Sequence, residues 1–294
     1  MNLKSLHELR DELVGVRLRA TNVSLWEIGA SLTEAARVAL NDALRTYEFT
    51  VQRVYTSLSL PLSGTVAVVL PRDVHRIVEL YAVSGSGGGS RTQLTGYDHR
   101  ATAETNFIWI RAHGFQGVRN AELVYEARTL ELPAEVVLAA SLDTLGGSVE
   151  VTGGMPAVQW RSPGFLQVRS QRDTLAKELV RYEGVLATAF TGLQRGVGGV
   201  QIAWEAGDVI SPVLEVKESA LPTLMVSAQA QMYRFWIRHR ALFDQIVSVA
   251  GIQQLSLTEL LGLIRTEEDR ADRLWKKARE SPAPTHATVR GRRR

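Results

Sequence analysis

The histidines are the first candidates for chemistry in this chain, because imidazole is a common metal ligand and acid–base group. The chain has six histidines and no cysteine, so disulfides and thiolate metal sites are excluded. His7 is followed by Glu8 but by no second histidine at the spacing of a zinc-binding helix. Other histidines fall on different predicted strands or loops: His75, His99 and His113. We therefore predict histidines that are solvated or at the edge of the core.

Two glycine-rich segments lack the spelling of a nucleotide-binding loop. The dinucleotide fingerprint needs glycine at its sixth position, which is Ser90 in one segment and Gln201 in the other. Neither is followed by the Gly-Lys-Ser/Thr of a phosphate-binding loop. The carboxylates Glu205 and Asp208 flank a predicted turn, which explains them better than acid–base work in a cleft. The sequence thus predicts no enzyme and no catalytic, cofactor-binding or metal-binding residue.

Basic side chains at two places are candidate contacts to DNA or to a partner protein. Arg234, Arg238 and Arg240 lie within one predicted helix, and the first two share a face because they are four residues apart. An ordinary solvated helix face is the favoured alternative for them. A second group lies at the C-terminus: Arg290, Arg292, Arg293 and Arg294. For that group, attraction to DNA phosphates and docking on an acidic neighbouring subunit remain open. The net charge of +3 does not by itself indicate nucleic acid.

The first sixty residues have helical periodicity. Apolar stripes at three-to-four spacing predict helices over residues 3–13 and 32–58. Capping boxes that begin at Ser24 and at Ser31 leave the start of the second helix open between them. Pro61 is expected to close that helix, because proline lacks the backbone donor.

The period then changes to that of strands. Runs rich in β-branched and aromatic residues predict strands at 66–70, 74–83, 107–110 and 123–125. A flexible loop is expected at residues 85–90. These runs indicate a small antiparallel sheet. A linker containing Gly146 and Gly147 leads to a second β region, residues 149–216.

That second region has the punctuation of tight turns between antiparallel strands. Short apolar runs predict strands at 179–182, 187–193, 200–204 and 209–216. The predicted turn residues between them are Gly184, Arg195, Gly196, Gly199 and Gly207. Ile202 and Trp204 alternate with polar or small residues, so one face of their strand should be buried.

The last eighty residues return to helical periodicity. Pro222 suits the first turn of a helix whose apolar face reaches Val247, and a capping box at Ser256 opens another helix. Two i,i+4 ion pairs are expected on the last helix: Asp269 with Arg273, and Asp272 with Lys276. After Glu280 the composition cannot bury a core, which predicts a mobile basic tail.

The second β region resembles a module that recurs in the tail, neck and receptor-binding proteins of tailed bacteriophages. Its general form is Glu-x-x-x-Tyr-x-Gly, then Phe-Thr-x-x-x-Arg-Gly-x-x-Gly-Thr, then His-x-x-Gly-x-x-Val. The matching residues are Glu178, Tyr182, Gly184, Phe190, Thr191, Arg195, Gly196, Gly199, Gly207 and Val209 or Ile210. Val200 replaces the favoured threonine, and Trp204 stands near the favoured histidine. The resemblance implies a virion setting.

The order of the elements also resembles phage head-to-tail adaptor proteins, which form a ring beneath the portal. The phrases that carry this resemblance are Ala-Leu-Asn-Asp-Ala at 39–43, Leu-Pro-Arg-Asp-Val-His-Arg-Ile at 70–77 and the Leu-Pro that begins at 221. It implies a non-catalytic structural protein of the virion neck that assembles with itself, with twelve copies as the family's number. Its implied partners are the portal protein, a downstream neck or tail protein, and genomic DNA in the channel. No cofactor is implied.

The predicted fold class is α+β: N-terminal helices with a small antiparallel sheet, an inserted all-β module, and C-terminal helices with a basic tail. Residues 1–148 and 217–281 would form the helical and β adaptor core, residues 149–216 the module and residues 282–294 the flexible tail. The longest apolar runs are far shorter than the ~20 residues that a bilayer needs, so no membrane partner is expected. Synthesis in the host cytoplasm should precede assembly into the virion.

Two other functions stay open at this point. One is a tail-tip or baseplate component whose β module contacts tail proteins or host glycan; it explains the module better and the long C-terminal helices worse. The other, a glycan hydrolase, would need a pair of catalytic carboxylates that the sequence does not reveal.

Overall fold

The structure, a computed structural model, describes residues 2–14, 23–59, 65–70, 74–83, 91–94, 97–101, 106–111, 120–144, 146–153, 160–173, 175–197, 199, 201–250 and 255–280. The helices are α1 (Leu6–Val14), α2 (Val23–Thr46), α3 (Leu221–Arg238), α4 (Arg240–Ala250) and α5 (Leu257–Glu280), with a short 3-10 helix at Glu218–Ala220. The strands are β1 (Asn2–Ser5), β2 (Thr50–Ser59), β3 (Thr65–Val69), β4 (Val74–Val83), β5 (Arg91–Gln93), β6 (Tyr97–Ala101), β7 (Asn106–Arg111), β8 (Asn120–Arg128), β9 (Val136–Leu138), β10 (Ser148–Thr152), β11 (Gly164–Arg169), β12 (Lys177–Tyr182), β13 (Gly184–Val185), β14 (Ala189–Thr191) and β15 (Val209–Val216). Helices with antiparallel sheets confirm the α+β class.

The chain forms two compact units. The sheet unit contains Met1–Asn2, Glu48–Leu130 and Glu215–Lys217, and the mixed unit contains Leu3–Tyr47, Glu131–Leu214 and Glu218–Arg294. This division differs from the predicted one, in which residues 149–216 were an insertion into a core of helices and sheet. The module instead belongs with the helices, because β1 pairs with β15 and Lys177 of β12 forms an ion pair with Glu8 of α1.

The helices of the mixed unit share a core of leucine, alanine and aromatic side chains. Helix α3 packs against α2 and α5, and α1 packs against α2. The buried residues include Leu6, Leu9, Leu13, Leu32, Ala36, Leu40, Leu224, Ala228, Met232, Trp236, Leu260, Ile264 and Ala271. Their three-to-four spacing confirms the apolar stripes of the terminal helices, except that Leu3, which was expected in the first helix, lies in strand β1 and the helix begins at Leu6. None of the described helices combines the length and the apolar character that crossing a membrane requires.

The predicted helix over residues 32–58 is wrong in its second half. Helix α2 ends at Thr46 and the chain continues as β2 from Thr50 to Ser59. β2 is rich in β-branched residues, namely two valines and two threonines among its ten residues, and such side chains favour strands. Ser24 is the second residue of α2 and Ser31 lies inside it, so neither serine precedes the helix. Pro61 lies outside the described residues.

Two of the other predicted helix boundaries are confirmed, and one predicted helix is interrupted. Pro222 stands in the first turn of α3, as predicted. The Ser256 capping box is confirmed, because the Ser256 amide donates to the Glu259 carboxylate and the Glu259 amide donates back to Ser256 Oγ. The expected single helix from Pro222 is broken at His239, whose φ of −118° and ψ of 51° are not helical, so Arg240 opens α4.

The ion pairs expected on α5 are replaced by other contacts. Arg273 Nε donates to the backbone carbonyl of Asp269 at 3.2 Å. The Asp272 carboxylate accepts a hydrogen bond of 2.6 Å from the Tyr47 hydroxyl, and the Tyr47 ring packs on Trp275. Asp272 therefore links α5 to the end of α2.

The sheet unit confirms the predicted change to strand periodicity. Strands β2, β8, β4 and β5 form one antiparallel sheet in that order, and β3, β7 and β6 form another. The core of the first sheet includes Val51, Leu80, Leu123 and Tyr125. The predicted loop at residues 85–90 lies outside the described residues.

The β region of the mixed unit is a sheet in which the last strand of the order follows the first strand directly in the sequence. The order is β12, β11, β15, β9, β10, β14 and β13. Strand β13 continues β12 after Glu183, whose amide donates to the Thr191 carbonyl, and Arg181 pairs with Gln194. The last strand in the order is therefore the extension of the first. The enclosed core includes Trp160, Leu166, Val180, Tyr182, Phe190 and Ile210.

Strand β15 spans Val209–Val216, as predicted, but residues 201–204, the described part of the strand expected at 200–204, do not form a strand. Only Trp204 pairs there, as an isolated bridge to Leu142. The burial alternates as expected, since Ile202 and Trp204 turn inward while Gln201 and Ala203 are exposed. The segment after β14 is therefore held by contacts other than a ladder.

Candidate functional site

A buried ion pair holds the irregular segment after β14 against β12. Glu178 projects from β12, and Arg195 follows β14; their side chains are 1% and 3% exposed. Arg195 Nε donates to Glu178 Oε1 at 2.8 Å, and Arg195 Nη2 donates to Oε2 at 2.7 Å. This two-point geometry is the strongest that arginine and a carboxylate form.

Three further donors converge on the same carboxylate. The Gly196 amide donates to Oε1 at 2.8 Å, while Trp204 Nε1 and the Ile202 amide donate to Oε2 at 2.8 and 3.2 Å. Together with the two nitrogens of Arg195 they exhaust the lone pairs of the carboxylate. Burial raises the pKa of Glu178, but the hydrogen bonds from Arg195, Trp204, Ile202 and Gly196 outweigh it and hold the pKa below its usual value.

Arg195 also donates hydrogen bonds to two backbone carbonyls. Its Nη1 donates to the Asp143 carbonyl at 2.6 Å, and its Nη2 also donates to the Ile202 carbonyl. The Glu178 carboxylate and the Arg195 guanidinium therefore bind each other and nearby backbone groups. The arrangement fixes a loop and leaves no acid, base or anion-binding group of this pair free to act on a ligand.

The predicted turn glycines fall into two groups. Gly196 and Gly207 have φ of +65° and +96°, a region that side chains rarely adopt. A Cβ on Gly184 would lie 2.5 Å from Thr191 Oγ1. Gly199 has no such φ, and a Cβ there would meet nothing within 4 Å. Three of the four glycines are therefore required by geometry, and Gly199 is not.

Aromatic residues of the module complete its core. The Phe190 ring lies between Trp160 and Tyr182, at centroid distances of 4.9 and 4.8 Å. Offset and edge contacts of this kind stabilise beyond the area they bury. Trp160 and Trp204 of the module are also buried.

The carboxylates Glu205 and Asp208 bracket a turn, as the sequence indicated. The Glu205 amide donates to Asp208 Oδ2 at 2.9 Å, and the Gln171 amide donates to Oδ1 at 3.1 Å. Glu205 itself pairs with Arg172 at 2.9 Å and is exposed. Asp208 thus ties two loops together and does not face Glu205 across a cleft.

A polar cluster at the start of α1 was missed by sequence reasoning. The Ser5 amide donates to the Glu8 carboxylate at 3.0 Å and the Glu8 amide donates to Ser5 Oγ, which is a capping box. Its Ser-x-x-Glu spelling was visible in the sequence. His7 Nε2 lies 3.0 Å from Arg10 Nη2. Burial, followed by the charges of Arg169, Arg10 and Lys177, lowers the pKa of His7 to about 2.

The other histidines have different surroundings. His75 lies in β4 with its side chain 33% exposed and 3.9 Å from Glu48. His99 belongs to β6, and His113 lies outside the described residues. Across the described ranges, no three His, Asp or Glu side chains are grouped as metal ligands would be.

The arginines that were predicted to contact DNA or a partner protein have different surroundings in the structure. Arg234 pairs with Glu268 of α5 and donates to Gln231 at 3.2 Å. Arg238 is exposed at the end of α3. Arg240 begins α4 and lies 3.1 Å from Asp244. The tail arginines Arg290, Arg292, Arg293 and Arg294 lie outside the described residues.

Comparison with known proteins adds no assignment to this geometry. No protein-family model matches the chain, and no curated protein matches it. The cluster around Glu178 therefore has to be interpreted from its own contacts, which are those of a structural element.

Replacing Glu178 by glutamine should destabilise the module. Glutamine offers one acceptor oxygen in place of two and leaves the Arg195 charge buried without a counterion, a change that typically costs about 3–5 kcal/mol. Urea unfolding followed by tryptophan fluorescence measures the loss. Glu150→Gln on the exposed side of β10 is the matched control and should change stability by less than about 0.5 kcal/mol. Equal stabilities of the two variants would contradict the role given to the cluster.

Stability should fall as the pH drops below about 6.5, through His7. The unfolded chain takes up a proton on His7 near its ordinary pKa, whereas the folded chain resists it down to about 2. Protonation therefore favours the unfolded state by up to about 1.4 kcal/mol per pH unit. Urea unfolding at pH 7, 6 and 5 should give a shallower decline for His7→Gln than for the natural chain. Parallel declines would show that His7 is solvated.

Proposed function

We propose that this chain is a structural protein of the virion of a tailed bacteriophage. Copies would close into a ring at the junction of portal and tail, giving the DNA a passage and the tail a docking platform. The protein performs no catalysis in this proposal. Its localisation is the neck of the virion, after synthesis in the host cytoplasm.

The observation that carries the proposal is the way the residues of the phage-like motif meet. Glu178, Arg195 and Gly196 belong to one hydrogen-bonded cluster, and Tyr182 packs on Phe190. Each matched residue of the cluster bonds or packs against other parts of the module and so serves its shape. A motif that specifies shape suits a building block that is reused in different virion parts.

Trp204, the departure from the motif, is compatible with this view. The family favours histidine near this position, and here the indole Nε1 donates to Glu178 at 2.8 Å. An imidazole N–H is a donor of the same kind. The substitution therefore keeps a ring nitrogen available for the buried carboxylate.

The mechanism of such a protein is geometric. Identical copies that contact flank against flank form a ring when the rotation between them closes. Twelve copies is the number that the adaptor resemblance implies. The C-terminal helix and the basic tail would dock on the portal or face the DNA, and the β module would present its turns to neighbouring proteins.

Mixing the purified chain with portal rings tests the position in the virion. Electron microscopy should show an added disc at one end of each portal ring. Deleting residues 282–294 should abolish docking if the tail is the anchor, and a full-length variant with the four tail arginines changed to glutamine separates charge from length. Decoration of isolated tail tips, with bare portal rings, would reject the neck position in favour of the tail-tip alternative.

Two arginines of α3 provide a matched test of the DNA contact. Both Arg234→Gln and Arg238→Gln remove one positive charge, but Arg234 is already paired with Glu268 and Arg238 is exposed. Each phosphate contact that is lost lowers the salt dependence of binding by a slope of about 1. Titration of non-specific DNA at several salt concentrations should show that loss for Arg238→Gln and a smaller one for Arg234→Gln. Equal effects would mean that α3 acts only through net charge.

A further inference from the structure

The last helix, α5, holds exposed cationic side chains that the fold leaves without an acidic partner. Elsewhere in the described ranges, even highly exposed arginines are commonly ion-paired, as Arg172, 85% exposed, is with Glu205. Five exposed cations of α5 form no ion pair with a described carboxylate: Arg265, Arg273, Lys276, Lys277 and Arg279. A cluster of cations without counterions raises the local positive potential and attracts an anionic partner.

Four of these cations share the side of α5 that faces away from the core. At 3.6 residues per turn they fall within about one third of the helix circumference, opposite the buried Ile264 and Ala271. This side extends over about 18 Å of helix, from the first of the four to the last. The basic face of α5 is defined by Arg265, Arg273, Lys276 and Lys277.

Two of the acidic side chains near the basic face are bound elsewhere. Glu268 pairs with an arginine of α3, and Asp272 accepts a hydrogen bond of 2.6 Å from the tyrosine that follows α2. Asp269 is exposed and lies on the basic face itself, between Arg265 and Arg273. It therefore offsets one of the four positive charges.

The helix dipole accounts for only part of this pattern. Lys277 and Arg279 lie in the last turn, where a cation stabilises the negative end of a helix, but this effect falls off within that turn. Arg265 and Arg273 lie further from the end. Arg273 Nε donates to the backbone carbonyl of Asp269 at 3.2 Å, in place of an ion pair along the helix. Interactions within α5 therefore do not explain its basic face.

A polyanion with evenly spaced charges matches the basic face. Duplex DNA carries one negative charge per about 1.7 Å of its axis, so about ten phosphates lie along a face of this length. Arginine and lysine both bind phosphate. A second copy of the chain is a poorer match, because its exposed carboxylates Glu48, Glu131 and Glu205 are already ion-paired. The phosphate backbone of DNA is the partner that these charges favour.

We infer that the basic face of α5 binds the phosphate backbone of double-stranded DNA without reading its sequence. The inference rests on the proposed function, in which the ring gives the DNA a passage, and it places the contact on α5. Each cation that binds a phosphate releases condensed counterions, so the affinity falls as the salt concentration rises. The four arginines within residues 290–294 follow α5 in the sequence and would extend the contact.

Loss of two lysines tests the contact. In the full-length chain, Lys276→Gln combined with Lys277→Gln should weaken the binding of a random-sequence DNA duplex by about tenfold or more at about 0.1 M salt. The slope of log affinity against log salt concentration should fall by about 2, because two phosphate contacts are lost. Fluorescence anisotropy of the labelled duplex measures both quantities.

Arg45→Gln combined with Arg172→Gln is the matched control for the lysine pair. It removes the same charge from side chains that are 63% and 85% exposed and already ion-paired, so the slope should change by less than half as much. Thermal unfolding checks that both double variants are folded. Equal losses of affinity would overturn the inference, because net charge alone would then explain the binding.

Removing the carboxylate on the basic face should have the opposite effect. Asp269→Asn should strengthen DNA binding several-fold, because it leaves all four positive charges without an offset. Glu150→Gln, on the exposed side of β10, makes the same change in net charge and should have a smaller effect. Equal effects of the two variants would contradict the assignment to α5.

The outcomes separate this contact from the proposed function. Discs at the portal, with a DNA affinity that does not depend on Lys276 and Lys277, would refute the contact and leave the ring standing. A chain that binds DNA through these lysines but leaves portal rings bare would support the contact and refute the neck position. Polyglutamate that binds as tightly as DNA, with the same dependence on the lysines, would overturn the inference in favour of an acidic protein partner.

Discussion

The β module depends on a single buried carboxylate. Glu178 accepts hydrogen bonds from both sides of the irregular segment that follows β14, through Gly196 at one end and through Ile202 and Trp204 at the other. That segment has few ladder partners of its own, apart from the bridges at Gln194 and Trp204. Buried backbone amides need acceptors, and the carboxylate supplies what a neighbouring strand would otherwise provide. Arg195 then neutralises the negative charge of the buried Glu178 carboxylate.

The cost of burying an ion pair explains why so many donors gather there. Removing two charges from water costs several kcal/mol per ion, and their attraction offsets this only when the remaining lone pairs and protons are satisfied. Five donors on Glu178 and two carbonyls for Arg195 meet that condition. An apolar pair of similar volume would fill the space but leave the amides of Gly196 and Ile202 without acceptors. The ion pair therefore serves the conformation of the loop more than the size of the core.

Local signals in the sequence predicted much of the fold, and the errors have physical reasons. Strand β15 and the capping box at Ser256 are specified by neighbouring residues, so both could be predicted. Val51, Val54 and Leu58 extend the helical spacing of α2 by coincidence, and only pairing with β8 makes them a strand. No proline or glycine near His239 indicates the break between α3 and α4. The Glu178 and Arg195 contact spans 17 residues, a separation without a periodic signal, although both residues stood in the motif.

The grouping of the module with the helices was the least accessible feature, because it depends on contacts between distant parts of the chain. Glu8 of α1 meets Lys177 of β12 across 169 residues, and β1 joins the sheet beside β15. His7 lies at this junction, and its burial, together with the charges of Arg169, Arg10 and Lys177, lowers its pKa. These contacts join segments that lie far apart in the chain, so the grouping follows from tertiary pairing, for which local periodicity carries no signal.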